Sequence, residues 1–268
     1  MRIITDSSAE FTVREAAVLG IHIVPLSIVF GDTVYAEDTE ISREEFYERL
    51  ANEYPHTAAP ATEQFTRAFI ETGGEETLVI LISSALSGTV NAAKKAVEEG
   101  GFSRVHVYDS RCATAMLRIM VETACKHRDK TVDEVIAILD ALRPKIRLSA
   151  YLDTLDCYAK GKRAKKSLAS VRRTFGLKSF IEIKADGSAT LTGTARGQMQ
   201  ARKKIAKKFR EAEVDESYPV YFLETDNADP THKLMEELGQ ESGRILRVCC
   251  SVGAYIGANA AGMVYVVK

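Results

Sequence analysis

The chain has 268 residues, 46% hydrophobic and 27% charged, the composition of a globular protein long enough for one large domain or two ordinary ones. Its 36 basic and 37 acidic side chains leave a net charge of −1, so no general electrostatic pull toward nucleic acid or an anionic membrane exists. No stretch approaches the roughly 18–20 apolar residues that span a bilayer, MRIITDSS enters a strand without a leader pattern, and five cysteines lack CxxC spacing; a reduced, cytoplasmic protein with no stable membrane insertion is expected.

The first half alternates strands and helices. The pattern predicts strand Arg2–Ile4, a helix near Val13–Leu19, strand Ile21–Phe30, helices Arg43–Ala51 and Glu63–Glu71, strand Leu78–Ile82, helix Asn91–Glu99 and strand Val105–Tyr108. Helices near Ala113–His127 and Val132–Leu142 follow. Strands joined by helical crossovers imply a mainly parallel sheet flanked by helices.

After Pro144 the pattern changes. IRLSAYLDTL reads as a strand running into a helix, KGKRAKKSLASVRRTF as a basic and largely helical stretch, and FIEIKADGSATLTG as a hairpin turning at Asp186-Gly187. Helix Arg196–Glu211, strand Val220–Leu223, helix Pro230–Leu238 and strands Ile245–Cys249 and Met263–Val267 complete the reading. The expected fold class is α/β: an N-terminal lobe over 1–145 and a C-terminal α+β lobe with a mixed or antiparallel sheet over 146–268.

Three strands of the first lobe end in hydroxyl-bearing turns: RIIT into Asp6-Ser7-Ser8, LVILI into Ser83-Ser84 and Ser87-Gly88-Thr89, and VHVY into Asp109-Ser110. Ligands of open α/β folds bind outside the carboxyl ends of the strands, where unpaired helix N–H groups suit a carboxylate or phosphate. Each of these residues can equally serve as a helix cap. The chain has no Walker lysine, GxGxxG, HExxH or GxSxG, and its five histidines have no metal-ligand spacing, so neither a metal nor a cofactor is expected. Cys249-Cys250, at the end of an apolar run, read as core thiols. Two basic stretches, Lys160–Arg173 and Arg202–Lys208, read as solvated helix faces, and the first, beside Gly161, is the better anion holder.

Taken together, TDSSA at Thr5–Ala9, PLSIVF at Pro25–Phe30, TAAPA at Thr57–Ala61, ISSALSGT at Ile82–Thr89, LDTLDCYAKGKR at Leu152–Arg163 and IEIKADG at Ile181–Gly187 resemble the DegV proteins, which include the FakB fatty-acid-binding subunits of fatty acid kinase. The resemblance spans nearly the whole chain. It implies a two-lobed protein that is not an enzyme: it buries one long-chain fatty acid and presents the carboxylate to a separate fatty acid kinase subunit. Carried over by motif, Thr57 and Ser87 hold the head group, Ser84 and Thr89 support the turn, and Arg163 is a nearby cation. The chain departs from the pattern at Ala58, Ala61 and Lys162, and Asn259 stands near the place of the family's carboxyl-terminal histidine, with no Gly-Pro-Gly; there Asn259 is expected at the head group, donating a hydrogen bond but no full charge.

Apolar stretches Ile23–Phe30, Phe65–Ile70 and Ala113–Val121 are candidates for lining such a tunnel. A competing reading is an enzyme acting on a small anionic substrate at the same strand ends, with Asp6 or Asp109 as acid/base. A third is an interaction protein whose pocket is filled by side chains.

Overall fold

A computed structural model describes residues 1–161, 176–240 and 243–268. In chain order the elements begin with β1 (Arg2–Asp6), α1 (Val13–Leu19), β2 (Ile21–Val24), β3 (Ser27–Phe30), β4 (Thr33–Ala36), α2 (Arg43–Leu50), β5 (His56–Ala58), α3 (Thr62–Ile70), β6 (Thr77–Leu81), α4 (Thr89–Gly100), β7 (Val105–Asp109), α5 (Thr114–Lys126) and α6 (Val132–Leu142). There follow β8 (Ile146–Leu152), α7 (Asp156–Lys160), β9 (Leu177–Ile183), β10 (Ala189–Arg196), α8 (Gly197–Arg210), β11 (Tyr221–Glu224), α9 (Asp229–Leu238), β12 (Arg244–Arg247), α10 (Cys250–Ile256) and β13 (Ala261–Val266).

The α/β class is as expected. A parallel sheet runs β2-β1-β6-β7, and a six-stranded sheet runs β10-β9-β8-β13-β11-β12, antiparallel except for the parallel β11–β12 pair. The Asp186-Gly187 hairpin forms, with Gly187 in the left-handed region at φ 82°. A Cβ there would lie 2.1 Å from Ser83 Oγ, so the glycine lets the hairpin tip close onto the parallel sheet's strand-end turn.

Two stretches differ from the sequence reading. The single strand expected over Ile21–Phe30 breaks at Pro25-Leu26, where proline has no N–H to donate and the Leu26 N–H turns to Ser7 Oγ at 3.0 Å. Beyond the break, β3 joins β4 and β5 in a separate antiparallel sheet, with Thr57 opposite Ile28. The strand expected over Ile245–Cys249 ends at Arg247, and Cys249 becomes the N-cap of α10.

Alternation along the parallel strands divides the core. Ile3 and Ile80 face α5, where Leu117 and Met120 continue the cluster to Val264 of β13, while Ile4 and Val79 face Phe65, Phe69 and Ala93. Ten of the thirteen α5 residues are buried, so this helix has almost no solvent face and lies between the two large sheets.

Buried carboxylates fasten α10. Glu10 Oε2 accepts the Cys249 N–H at 2.8 Å and pairs with Arg43 at 3.2 Å, and Arg43 in turn holds Asp38. Glu37 accepts the Ser251 N–H at 2.5 Å, the Ser251 hydroxyl at 2.9 Å and the Ser7 hydroxyl. These amides belong to the first turn of a helix, which has no internal acceptor for them. Burial is the largest influence on both acids and pushes Glu37 up to about 7 and Glu10 up to about 8, the latter against the pull of Arg43.

A carboxyl that titrates near 4.3 in the unfolded chain but higher in the fold stays protonated in the fold after the unfolded chain has lost its proton. Its stabilising contribution is complete below about pH 4 and declines as pH rises toward about 8. Thermal unfolding from about pH 5 to about pH 8 is therefore expected to show a flatter decline in Glu37→Gln than in the parent chain. An identical pH dependence would remove Glu37 from this role.

Candidate functional site

Between the inner face of the six-stranded sheet and the strand-end turns of the parallel sheet lies a cavity of about 360 Å³, within the roughly 300–1,000 Å³ of small-molecule sites. Alternate residues of β8, Leu148, Ala150 and Leu152, form one wall, and Ile181 and Ile183 of β9 extend it. The facing wall includes Leu26, Ile82 and Leu86, and α10 closes a third side with Ser251, Val252, Tyr255 and Ile256. Six alanines, Ala85, Ala113, Ala150, Ala189, Ala260 and Ala261, line the space, and their short side chains leave open what larger residues would fill.

Thr57 and Ser87 line this same cavity. Thr57 sits in the middle of β5, with Oγ1 2.7 Å from the Tyr255 phenol oxygen. Ser87 Oγ lies 2.8 Å from Thr89 Oγ1, ahead of α4. A Cβ on Gly88 would come 3.7 Å from Ala59 Cβ, so TAAPA and the LSGT turn abut although thirty residues of sequence separate Thr57 from Ser87. Together they put hydroxyl groups beside a mostly apolar chamber.

Ser84 is exposed and off the cavity wall; its N–H and hydroxyl bind Asp109 at 3.1 and 2.5 Å. Thr89 is buried against Ser87. Asn259, with φ 56°, is also off the wall, its N–H donating to Asp226 at 2.7 Å and its side-chain oxygen accepting from Asn227 at 3.0 Å. Arg163, like Lys162, lies outside the described residues. Among the described residues that line the cavity, Lys184, exposed at the hairpin, is the one cation.

Asp6 and Asp109 act as fasteners of the turns. Asp6 accepts the Ser8 N–H at 3.0 Å, the Ser8 hydroxyl and the Ile82 N–H at 2.7 Å, and burial pushes it up to about 6. Asp109 accepts from Ser84 and from the Arg111 N–H at 3.1 Å. Neither lines the cavity. Among the described residues, no cluster of three or more His, Cys, Asp or Glu side chains could hold a metal ion, and no helix is long and apolar enough to cross a membrane.

Sequence reasoning placed the tunnel wall only in part. Leu26, Ala113 and Thr114 from the stretches named for it do line the cavity, but Phe65 and Phe69 pack on the opposite face of the parallel sheet. It also missed Tyr255 and the whole of α10, where the one signal available was the apolar spacing of Val252, Tyr255 and Ile256.

A family model described as "Uncharacterised protein, DegV family" matches residues 1–268. The chain belongs to the DegV family. It is 29% identical over 268 residues to a DegV domain-containing protein of Clostridium perfringens, covering 98% of this chain and 95% of that one. A fatty-acid-binding DegV family protein from Thermus thermophilus superposes with a TM-score of 0.88 at 26% identity, over 100% of both chains. DegV of Bacillus subtilis, a fatty acid binding protein, gives 0.86 at 21% identity over 100% of this chain and 99% of that one, a likeness of fold.

The cavity of this DegV family member depends on its alanines. Ala189→Leu is expected to lower the binding of a fluorescent apolar probe while the protein still unfolds cooperatively, since overpacking costs about 1–3 kcal/mol. Unchanged probe binding would show that the space near Ala189 is not part of the ligand chamber.

Proposed function

We propose that this chain binds one long-chain fatty acid, with the acyl chain in the alanine-lined cavity and the carboxylate at Thr57 and Ser87. The observation that carries this reading is the joining of a mostly apolar chamber to two hydroxyls from separate turns. An amphiphile matches it; a small polar substrate would leave Leu148, Ile181 and Ile183 uncovered. Each methylene withdrawn from water contributes about 0.8 kcal/mol, so a chain of about fifteen supplies on the order of 12 kcal/mol before ordering costs. The fatty acid binding of the Thermus relative supports the same assignment.

In this reading Ser84 and Thr89 stiffen the turn through Asp109 and Ser87, and the protein carries its acid without transforming it. Asp6 and Asp109, the candidate acid/base residues, have carboxyl oxygens engaged with turn N–H groups and hydroxyls. Ser84, Ala85 and Gly88 around the head-group turn are exposed, which leaves the carboxyl end within reach of a second protein. A separate kinase in the cytoplasm is the partner this arrangement suits.

Delipidated protein titrated with stearate is expected to bind one molecule per chain. Ser87→Ala should weaken binding by the ~1.5–3 kcal/mol of a hydrogen bond to a charged group, with the fold intact. No uptake by the parent protein would sink the reading, and equal affinity in the variant would remove Ser87 from the head-group site.

A further inference from the structure

The long wall of the cavity changes chemistry along its length. At one end Tyr158 of α7 packs with Leu152, and the hydroxyl of Tyr54, shortly before Thr57 in sequence, donates to the Cys157 carbonyl of the same helix at 3.2 Å. β9 carries the wall away from there: Ser179 lies opposite Leu152, Ile181 opposite Ala150, and Ile183 faces Ala189 across the hairpin. Lys184 follows, about 17 Å along the strand from Ser179. Where the hairpin turns, Lys184, Ser188 and Thr190 all line the cavity, and the Lys184 N–H donates to the Ser188 carbonyl at 2.9 Å. Asp186 of this turn accepts the Ser188 N–H at 2.9 Å and its hydroxyl at 2.7 Å, and among the described residues Lys184 is in no ion pair.

We propose that the chamber takes a long-chain acid carrying a second carboxylate at its far end, an α,ω-dicarboxylic acid, with Lys184 as the counter-ion of that second group. This rests on the fatty-acid reading above. An acyl chain held at Thr57 and running along Ile181 and Ile183 ends beside an ammonium and two hydroxyl-bearing side chains. A methyl terminus there offers these groups nothing and displaces their water. A carboxylate only accepts and an ammonium only donates, so the two form charge-assisted hydrogen bonds. Because Lys184 is exposed, water screens the pair and the gain is modest.

Two other roles for Lys184 are a stem laid on the wall with its ammonium in solvent, and a counter-ion for the carboxylate at Thr57 and Ser87. Calorimetric titration of delipidated protein with hexadecanedioate and with palmitate separates all three. The parent is expected to bind the diacid at least as tightly as palmitate. The ratio of the two affinities should fall about fivefold in Lys184→Met, which keeps an unbranched stem, and further in Lys184→Glu, while Lys184→Arg preserves it. A stem alone leaves the ratio unmoved, and a counter-ion at Thr57 weakens both acids alike. A parent that binds palmitate more tightly than the diacid, or a ratio within twofold of the parent's in Lys184→Met, would overturn the proposal while the fatty-acid reading stands. Uptake of neither acid by the parent would strike that reading and the proposal with it.

Discussion

Two buried carboxylates hold the end of the chain to its beginning, and the ligand chamber depends on them. Glu10 and Glu37 reach the first-turn amides of α10 across 239 and 214 residues of sequence. Burying an acid without partners is costly, and here the amides of Cys249 and Ser251 and the hydroxyls of Ser251 and Ser7 lower that cost by donating to both Glu37 oxygens and to Glu10 Oε2, while burial shifts both acids toward the neutral form. Because α10 has only seven residues, it owes little to helix propensity and much to these anchors. Its Val252, Tyr255 and Ile256 then face the cavity as one wall.

The chamber is a local exception to close packing. Elsewhere large side chains interdigitate: Tyr151, Phe222 and Tyr265 fill the far side of the six-stranded sheet, and Phe65 and Phe69 the far side of the parallel sheet. Between the sheets, alanines stand where comparable core positions carry leucine, isoleucine or phenylalanine, so wall atoms lack partners until a guest supplies them. A guest that binds only the folded chain also stabilises it by mass action. The alanines that make room for a guest thus couple its binding to stability.

Much of the frame was legible in the sequence because it is written in local patterns. Apolar runs between helical stretches marked β1, β6 and β7; Asp186-Gly187 marked the hairpin; the LISSALSGT string marked the turn whose Ser87 lines the cavity. The missing parts are non-local. Nothing near Glu10 or Glu37 in sequence announces that their partners lie more than two hundred residues away, and an alanine reads the same whether it packs or leaves space. Tyr255 was hidden because Cys249-Cys250 looks like the end of a strand, whereas amide capping by distant carboxylates starts a helix there. Pro25, by contrast, was a visible break in Ile21–Phe30 outweighed by the apolar run around it.

The most direct test is a crystal structure of the protein grown with stearic acid. The account predicts one acid in the cavity, its carboxylate within hydrogen-bonding distance of the Thr57 and Ser87 hydroxyls and its chain lying along Leu148, Ile181 and Ile183. An acid bound elsewhere, or one lying in the cavity with its methyl end at Thr57, would contradict it.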